Sequence, residues 1–350
     1  MRENRYVVMF LLVIAVPGIR AEEVKVRIQR LLDAPIITEA THPSIGRNIQ
    51  GPSLIRVPDW VESPLGVYYL YFADHKGSYI RLAYADRLEG PWSVHPRGSL
   101  GIGDSHFPEQ PPEAPAGALA RVRARMENAP GGRNKLPHDL LKELTAPHIA
   151  SPDVHVDADA RSIMMYFHGL EGFANQVTRV AVSSDGINFR ARSEILGKTY
   201  MRVFGYRDFR YAMAMPGQFY RSVDGLSDFE VGPLLFNGNM RHAGLLVRGD
   251  TLYVFWTQVG DVPERILLSR IDLSTDWLRW TPGEPIEMLR PEKAWEGADA
   301  PLLESVRSVA YGHVNQLRDP AVFEEGNRTY LLYAVAGESG IAIAEVFFEE

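Results

Sequence analysis

A repeated order of short strands constrains the fold of this chain more than any other feature of its sequence. Residues 51–92 contain an apolar strand that begins at a proline, the aromatic strand YYLYFAD, the strand IRLAYAD and a turn that ends in tryptophan. The same order recurs at 151–189, 241–280 and 318–348, and a weaker copy occupies 200–229. The strands alternate in polarity or are continuously apolar, and Gly, Asp or Pro turns bound them. The chain therefore contains five repeated units of three or four short strands.

Strand-containing repeats of roughly 40 to 50 residues predict an all-β fold. We expect a five-bladed β-propeller in which the first strand of each unit lines the central axis. A β-sandwich also has many short strands, but it does not account for five repeats. The last unit has only three strands of its own. We therefore expect the segment VKVRIQRLL, residues 24–32, to supply its fourth strand, because this pairing closes the ring and covers two strand edges.

One segment, residues 100–148, interrupts the repeats between the first and second units. Pro and Gly clusters bracket two short helical patterns in it, ALARVRARMENA and HDLLKEL. The segment is too short to bury a core of its own, so a separate domain is the weaker interpretation. We expect a helical flap over one end of the ring, within a single domain that spans residues 22–350.

The N-terminus has the layout of a secretory signal peptide. Arg2 and Arg5 precede the apolar run 6–16, and the chain becomes polar after Ala21. The run is shorter than the roughly 20 residues that cross a bilayer, although a retained anchor is an alternative. The sequence predicts a signal peptide over residues 1–21, a secreted or periplasmic protein, and no membrane span once the peptide is removed.

Composition limits the partners and cofactors. The chain has no cysteine, which excludes disulfides, thiolate metal sites and a cysteine nucleophile. Its 44 acidic and 37 basic residues give a net charge of −7, so nucleic acid is not an expected partner. Neither an HExxH motif nor an EF-hand loop occurs. We expect no cofactor, with a structural cation such as calcium as the alternative.

Short motifs within the repeats resemble one known family. They are Arg318-Asp319-Pro320, Ser151-Pro152-Asp153 and the turn SSDGINF at 183–189. Together with the five repeats, they are similar to the five-bladed propeller glycoside hydrolases of the arabinanase and xylosidase type, family 43 and its relatives. The resemblance covers nearly all of the chain after the predicted signal peptide. It implies a glycosidase with three axis-facing carboxylates: an aspartate base on the first blade, an aspartate that tunes the acid, and a glutamate acid.

The sequence departs from this family at the first blade. Where the family begins that blade with Asp-Pro, this chain has Gln50-Gly51-Pro52, and the nearest following carboxylate is Asp59, beyond the strand. Two hypotheses follow. The chain is either a hydrolase whose carboxylates have moved around the ring, or a carbohydrate-binding propeller without catalysis. Two carboxylates that face one pocket favour the enzyme, and a single one favours the binding protein.

Four carboxylates are candidates for catalysis, namely Asp319, Glu296, Asp153 and Glu264. Asp319 begins a strand that faces the axis, so it must be paired or used, although an aspartate before proline can also accept backbone N–H bonds at a turn. Glu264 lies beside Arg265 between two strands of the fourth unit. There it can act as an acid or hold a sugar hydroxyl, and an ordinary surface ion pair is an equal alternative.

The connection before the last unit contains Trp295, Glu296 and Asp299. A tryptophan beside two carboxylates suits sugar stacking combined with acid chemistry. A capped turn with a packed indole is the alternative.

The remaining candidates for substrate binding are histidines and arginines of the strands: His155, His168, Arg202, His242 and Arg318. The histidines can bind sugar hydroxyls or a cation, and the arginines suit an anionic sugar or a paired carboxylate, but structural hydrogen bonding is the common role of both. We expect Asp153, Arg202, His242 and Asp319 to line one axial pocket. Arg318 should point away from Asp319, because neighbours on a strand alternate.

Overall fold

The computed structural model describes residues 25–129 and 136–349. The predicted signal peptide, residues 1–21, lies outside the described residues, as does Val24. The strands form five antiparallel sheets. Within the described residues, no helix is long and apolar enough to cross a membrane.

The sheets are the blades of a propeller, numbered here in chain order, and the N-terminal strand β1 (Lys25–Arg30) belongs to the last of them. Blade one consists of β3 (Gln50–Arg56), β4 (Tyr68–Ala73), β5 (Tyr79–Ala85) and β6 (Ser93–Gly101). Blade two consists of β7 (Ile149–Asp157), β8 (Ser162–Gly172), β9 (Asn175–Ser183), β10 (Arg190–Ala191) and β11 (Gly197–Lys198). Blade three consists of β12 (Arg202–Tyr206), β13 (Phe209–Ala214), β14 (Gln218–Ser222) and β15 (Glu230–Leu234).

Blade four consists of β16 (Met240–Arg248), β17 (Thr251–Gln258), β18 (Ile266–Asp272) and β19 (Ile286–Leu289). Blade five consists of β20 (Arg318–Glu325), β21 (Arg328–Val335), β22 (Gly340–Glu349), β1 and the short β2 (Ile37–Thr38). Single turns of 3₁₀ helix lie at Pro43–Ile45, Ile102–Asp104, Trp277–Arg279 and Ala294–Glu296.

The N-terminal strand closes the ring as the sequence predicts. Strand β1 pairs antiparallel with β22 from Lys25 opposite Glu349 to Arg30 opposite Ala344. The pairing gives blade five its fourth strand and satisfies an edge that would otherwise be free.

Five separate apolar cores hold the blades together, and each core lies between two neighbouring sheets. Tyr71 of blade one and Phe167 of blade two belong to one core, for example, and Phe255 of blade four and Leu331 of blade five belong to another. A sandwich has one core between two sheets. The arrangement is therefore the predicted five-bladed propeller and not the alternative sandwich.

The first strands of the blades surround the axis. Strand β3 contacts β20 and β7, and β16 contacts β12 and β20. Hydrogen bonding completes the ring, since the backbone N–H of Val203 in β12 donates to Oδ2 of Asp153 in β7 over 2.8 Å. The side chains at the starts of these strands therefore converge at one end of the axis.

A β-bulge interrupts the start of four of these inner strands, between Gln50 and Ser53, Ala150 and Asp153, Met240 and Ala243, and Arg318 and Ala321. Three of the bulges contain a residue with left-handed backbone followed by proline: Gly51 (φ 64°), Ser151 (φ 50°) and Asp319 (φ 49°). A bulge adds a residue and re-aims the side chains around it. Asp319 thus occupies the same structural position on blade five as Gly51 does on blade one.

The inserted segment follows β6 and occupies residues 102–148, which we call the flap. In the described part of the flap, the helices α1 (Ala118–Glu127) and α2 (Leu140–Thr145) lie where the sequence predicts helical patterns. The Asp139 side chain caps α2 by accepting a hydrogen bond from the Lys142 N–H over 3.0 Å. Met126 and Leu140 of the flap cover a cavity that Gln50 and Ser151 also line, so the flap lies over the end of the axis where the inner strands begin.

Candidate functional site

Two cavities lie at opposite ends of the axis. The flap-side cavity, about 300 Å³, lies between the starts of the inner strands and the flap. The opposite-end cavity, about 590 Å³, is lined by the far ends of the same strands. Tyr200 lines the first cavity and Arg202 the second, and the Arg202 guanidinium carbon is 4.2 Å from the centroid of the Tyr200 ring. This stacked pair stands between the two cavities.

Asp319 does not line the flap-side cavity itself but contacts Tyr200 and His242 of its floor, and it is fully buried. Its Oδ1 accepts a hydrogen bond from the Tyr200 hydroxyl over 2.9 Å and is 3.5 Å from Nε2 of His242. Its Oδ2 has no hydrogen-bond partner among the described residues. Burial and the nearby Glu338 raise the pKa of Asp319 to about 6, although the Tyr200 hydroxyl, Arg241 and Arg318 act in the other direction. The side chain can therefore give or take a proton near neutral pH.

Polar groups from three other blades surround this floor. Oε1 of Gln50 accepts a hydrogen bond from the Ser151 hydroxyl over 3.0 Å, which leaves Nε2 of Gln50 without a partner in the described chain. Nδ1 of His168 is likewise buried and unpartnered among the residues described. Burial and neighbouring positive groups lower the pKa values of His168 and His242 well below the usual range, so both imidazoles are neutral at neutral pH. Unpartnered donors and acceptors of this kind suit a ligand rich in hydroxyl groups.

A network of buried charges supports the floor. Nη1 of Arg318 is 2.6 Å from Oε1 of Glu338, and its Nε is 3.3 Å from Oε2 of Glu264. Arg241 reaches the same Glu264 oxygen over 3.4 Å. Although burial alone would raise the pKa of Glu338, His75, Arg318 and Asn48 hold it well below its usual range. Arg318 and Asp319 share no direct hydrogen-bond partner, as expected for neighbours that point apart.

The flap contributes a carboxylate that sequence reasoning did not select. Glu143 of α2 lines the flap-side cavity, and its Oε2 is 3.2 Å from Nζ of Lys76. The Ser308 hydroxyl donates a hydrogen bond to the same carboxylate. These contacts fix α2 to blade one and to the segment before blade five. Its position in the predicted flap helix HDLLKEL was the sequence signal that could have marked it.

Asp153, His155 and Arg202 belong to the opposite-end cavity. Oδ2 of Asp153 accepts the Val203 N–H and is 2.8 Å from Nε2 of His155. Arg202 donates to the carbonyl oxygens of Ser151, Pro152 and Ala243 over 2.9–3.2 Å. The prediction that Asp153, Arg202, His242 and Asp319 line one pocket is therefore corrected: all lie near the axis, but at two ends of it. Asp153 lies two residues beyond Ser151, which has the left-handed position that Asp319 has on blade five, and Arg202 likewise follows the left-handed Tyr200. Both side chains therefore stand further along their strands than Asp319 does.

The structure separates Glu264 from its sequence neighbour. Glu264 is fully buried between Arg241 and Arg318. Arg265 turns outward and pairs with Asp261 over 3.0 Å and Glu287 over 2.8 Å. Arg265 therefore forms ion pairs near the surface, as the alternative interpretation of this motif expects, but Glu264 is not one of its partners. Neither residue lines the flap-side cavity.

Trp295, Glu296 and Asp299 also lie away from both axial cavities. Glu296 accepts hydrogen bonds from Nε and Nη2 of Arg30 over 2.7 and 2.8 Å, and also from two backbone N–H groups and the Tyr333 hydroxyl. Trp295 packs against the core between blades four and five, and Asp299 contacts His313 at the surface. The alternative interpretation, a capped turn with a packed indole, is the one that the structure supports.

Among the described residues, no group of three or more His, Asp or Glu side chains is arranged to hold a metal ion. The polar groups around the flap-side cavity are instead bound to one another or unpartnered, as described above.

Comparison with known proteins places the chain in a family. No protein-family model matches it. It is 34% identical over 325 residues to a protein of Acanthamoeba polyphaga mimivirus named Uncharacterized protein R118, and the match covers 85% of this chain and 83% of the viral protein. The chain belongs to the family of that mimivirus protein.

Solved structures with the same fold are far more distant in sequence. A thermostable family-43 glycoside hydrolase matches 88% of this chain and 92% of its own with a TM-score of 0.50 at 12% identity. A family-43 β-xylosidase/α-arabinofuranosidase from a compost microbial metagenome gives 0.51 at 13% identity, covering 92% and 94%. An N-acetylgalactosamine deacetylase from F. plautii gives 0.52 at 11% identity, covering 92% and 95%. The sequence resemblance is thus confirmed for the fold, the five-bladed propeller of family-43 glycoside hydrolases.

The structure explains why Gly51 on blade one of this chain cannot be replaced by a carboxylate. A Cβ atom at Gly51 would lie 2.8 Å from Cα of Ser151, closer than side chains tolerate, and the backbone of Gly51 is left-handed. An aspartate at position 51 would displace blade two. The equivalent position on blade five holds Asp319.

Proposed function

We propose that the protein is a carbohydrate-active enzyme, a glycoside hydrolase whose reaction takes place in the flap-side cavity. One observation carries the proposal: Asp319, a buried carboxyl with one unpartnered oxygen and a pKa raised to about 6, contacts Tyr200 and His242, which line that cavity. The fold supports it, since one neighbour, the compost β-xylosidase/α-arabinofuranosidase, is in complex with xylotriose, and the deacetylase is in complex with blood group B trisaccharide.

Cleavage of a glycosidic bond requires a group that protonates the leaving oxygen and a second carboxyl group on the other side of the sugar. The proposal requires the bound sugar to reach the unpartnered Oδ2 of Asp319. Protonated Asp319 then gives its proton to the glycosidic oxygen as the bond from C1 to that oxygen breaks. Glu143 takes a proton from water, whose oxygen forms the new bond to C1. Gln50, Ser151 and His168 bind the sugar hydroxyls.

Groups in the wall of the cavity and behind it position Asp319. Tyr200 and His242 hold Asp319, and Glu264 pairs with Arg241 and Arg318 below it. We also propose that the protein is exported, which rests on the sequence of residues 1–21.

A carbohydrate-binding propeller without catalysis is the second candidate. The glycine at position 51 favours it, because no carboxylate can stand where the family resemblance implies the base. Asp319 would then bind a sugar hydroxyl and would not transfer a proton.

A glycan library assayed with two readouts, release of reducing ends and binding by thermal shift, separates the candidates. We expect the purified protein to hydrolyse at least one glycan. At pH 7, where the Asp319 carboxyl adds little to stability, Asp319→Asn should lower turnover by at least about 100-fold with little change in melting temperature. The control is Asp153→Asn, at the other end of the axis, which should keep its activity.

Binding without hydrolysis by the unchanged protein would support the second candidate. A protein that neither binds nor cleaves any glycan would overturn both. An Asp319→Asn variant that melts several degrees lower and still turns over normally would assign Asp319 to the scaffold.

A further inference from the structure

Arg307 differs from the other positively charged residues around the flap-side cavity. Lys76 pairs with Glu143, and Arg241 pairs with Glu264. Arg307 lines the cavity, is half-buried, and donates from Nη2 to the carbonyl oxygen of Gly238 over 3.1 Å. No carboxylate of the described residues lies within ion-pair distance of it. It is therefore a cation on the cavity wall without an anionic partner of its own.

The backbone on both sides of Arg307 is held rigidly. Nη1 of Arg241 donates to the carbonyl oxygen of Val306, and its Nη2 donates to that of Ser308, each over 3.0 Å. Arg318 donates to the Ser308 carbonyl as well, over 3.0 Å. Two buried arginines thus fix the residues before and after Arg307. Because this backbone is already fixed, it loses little conformational freedom when Arg307 binds a ligand.

Burial makes an unpaired guanidinium costly. It lowers the pKa of Arg307, while the more distant charges of Glu143 and Glu264 act in the other direction. A guanidinium nevertheless stays protonated in proteins, so Arg307 keeps its charge in this partly desolvated place. A ligand that brings an anion to the cavity would offset that cost.

We propose that Arg307 binds the carboxylate of an acidic sugar, so that the substrate of the flap-side cavity carries a uronic acid residue. This inference rests on the proposed function and names its substrate class. The planar fork of a guanidinium matches a carboxylate with two parallel hydrogen bonds. Glu143 is not the anionic partner of Arg307, because the Glu143 carboxylate is already bound by Lys76 and Ser308. The unpartnered Nε2 of Gln50 and Nδ1 of His168 remain for the hydroxyl groups of the same sugar.

The test uses 4-nitrophenyl glycosides in matched pairs: glucuronide with glucoside, galacturonide with galactoside, and mannuronide with mannoside. Binding is measured by calorimetry and hydrolysis by nitrophenol release. We expect the acidic member of at least one pair to bind about 10- to 100-fold more tightly than its neutral partner. Arg307→Gln should remove that preference and leave the affinity for the neutral sugar within about twofold of its value in the unchanged protein. Arg307→Lys should restore part of it, because it returns the charge without the fork.

The control variant is Arg279→Gln, which replaces an exposed arginine of the 3₁₀ turn after β18. It should alter the affinity for neither the acidic nor the neutral sugar. Melting temperatures verify that the variants fold. Preference for the neutral sugar in every pair, or an equal loss for both sugars in Arg307→Gln, overturns the inference. If the protein cleaves only neutral glycans and Asp319→Asn abolishes that cleavage, the proposed hydrolase stands and the inference about uronic acid fails. If a uronide is bound through Arg307 but never cleaved, the acidic ligand stands and the hydrolase fails.

Discussion

The Tyr200 hydroxyl donates a hydrogen bond to Oδ1 of Asp319 over 2.9 Å, and this bond joins the start of blade three to blade five. The two residues are 119 positions apart in the chain, and both have left-handed backbone, with φ of 59° and 49°. Left-handed backbone is costly for residues other than glycine and persists where the surrounding structure requires it. Two such residues are in contact at the end of the axis, where the proposed reaction takes place.

Removing the Tyr200 hydroxyl should move the ionisation of Asp319. The Tyr200 hydrogen bond lowers the pKa of Asp319, so Tyr200→Phe should raise that pKa further above about 6. An acid that must be protonated sets the alkaline limb of the profile of kcat/KM against pH. That limb should shift to higher pH in Tyr200→Phe. The matched control is Tyr333→Phe, which removes a buried hydroxyl that donates to Glu296 away from the cavity. A limb that moves to lower pH, or that stays in place, would contradict the role of Asp319 as the acid.

The sequence was sufficient to predict the architecture because its signals are local. Alternating strands and turn residues repeat five times, and each repeat builds one blade from neighbouring residues. The same holds for β1 as the missing strand of blade five and for the two flap helices. Each of these follows from pattern and from the need to cover a strand edge.

The site was harder to predict, because it depends on contacts between distant segments. Asp153 stands two residues further along its strand than Ser151, the counterpart of Asp319, so the two carboxylates lie at opposite ends of the axis. The strand starts look alike in the sequence, and the equivalent positions are recognised only from the backbone. Glu143 reaches the cavity only because the flap folds over the axis. Glu296 suits acid chemistry in the sequence, but its partner Arg30 comes from the far end of the chain.

The raised pKa of Asp319 also predicts how stability depends on pH. Its folded value is about 6 against an ordinary 3.8, so the folded state holds the proton more tightly than the unfolded state. The contribution to the free energy of unfolding is therefore fully present below about pH 4 and is lost as the pH rises through about 6. Asp319→Asn lacks this contribution. Its free energy of unfolding minus that of the unchanged protein should rise by roughly 2 to 3 kcal/mol between pH 4 and pH 7.

Urea unfolding at the two pH values measures this difference, and Asp153→Asn is a control of opposite sign. Burial would raise the pKa of Asp153, but His155, Arg202 and the Val203 N–H outweigh it and lower the pKa. The stability from Asp153 is present at neutral pH and is lost as the pH falls through the lowered folded pKa. Asp153→Asn should therefore lose more stability at pH 7 than in acid. Parallel curves for the two variants would show that burial does not dominate at Asp319.

Glu143 should matter both for the flap and for turnover. Glu143→Gln removes the ion pair with Lys76, whose pKa burial already lowers, and leaves that ammonium group without its partner. We expect faster proteolysis within residues 102–148 and, if Glu143 activates water, a fall in kcat of about 100-fold or more. Lys142→Gln, an exposed change in the same helix, is the control. Faster proteolysis with unchanged kcat would limit Glu143 to holding the flap.

Glu296 should be required for stability and not for catalysis. Its two carboxylate oxygens accept five hydrogen bonds, two of them from Arg30 at the end of β1, the strand that closes the ring. Glu296→Gln puts an N–H₂ group where an oxygen accepts N–H donors, and it removes the charge that pairs with Arg30. Breaking a buried pair of this kind costs about 3 to 5 kcal/mol. Urea unfolding should show that loss, while turnover of the folded fraction stays unchanged.

The control for Glu296 is Glu292→Gln. Glu292 binds Nη1 of the same Arg30 over 2.8 Å, but its side chain is 60% exposed. An exposed pair is worth about 0 to 1 kcal/mol, so this variant should unfold nearly as the unchanged protein does. Each variant removes one carboxylate that pairs with Arg30, and the two carboxylates differ in burial. A Glu296→Gln variant of normal stability that no longer cleaves its substrate would return Glu296 to the catalytic residues, and the reaction would then have to take place outside the flap-side cavity.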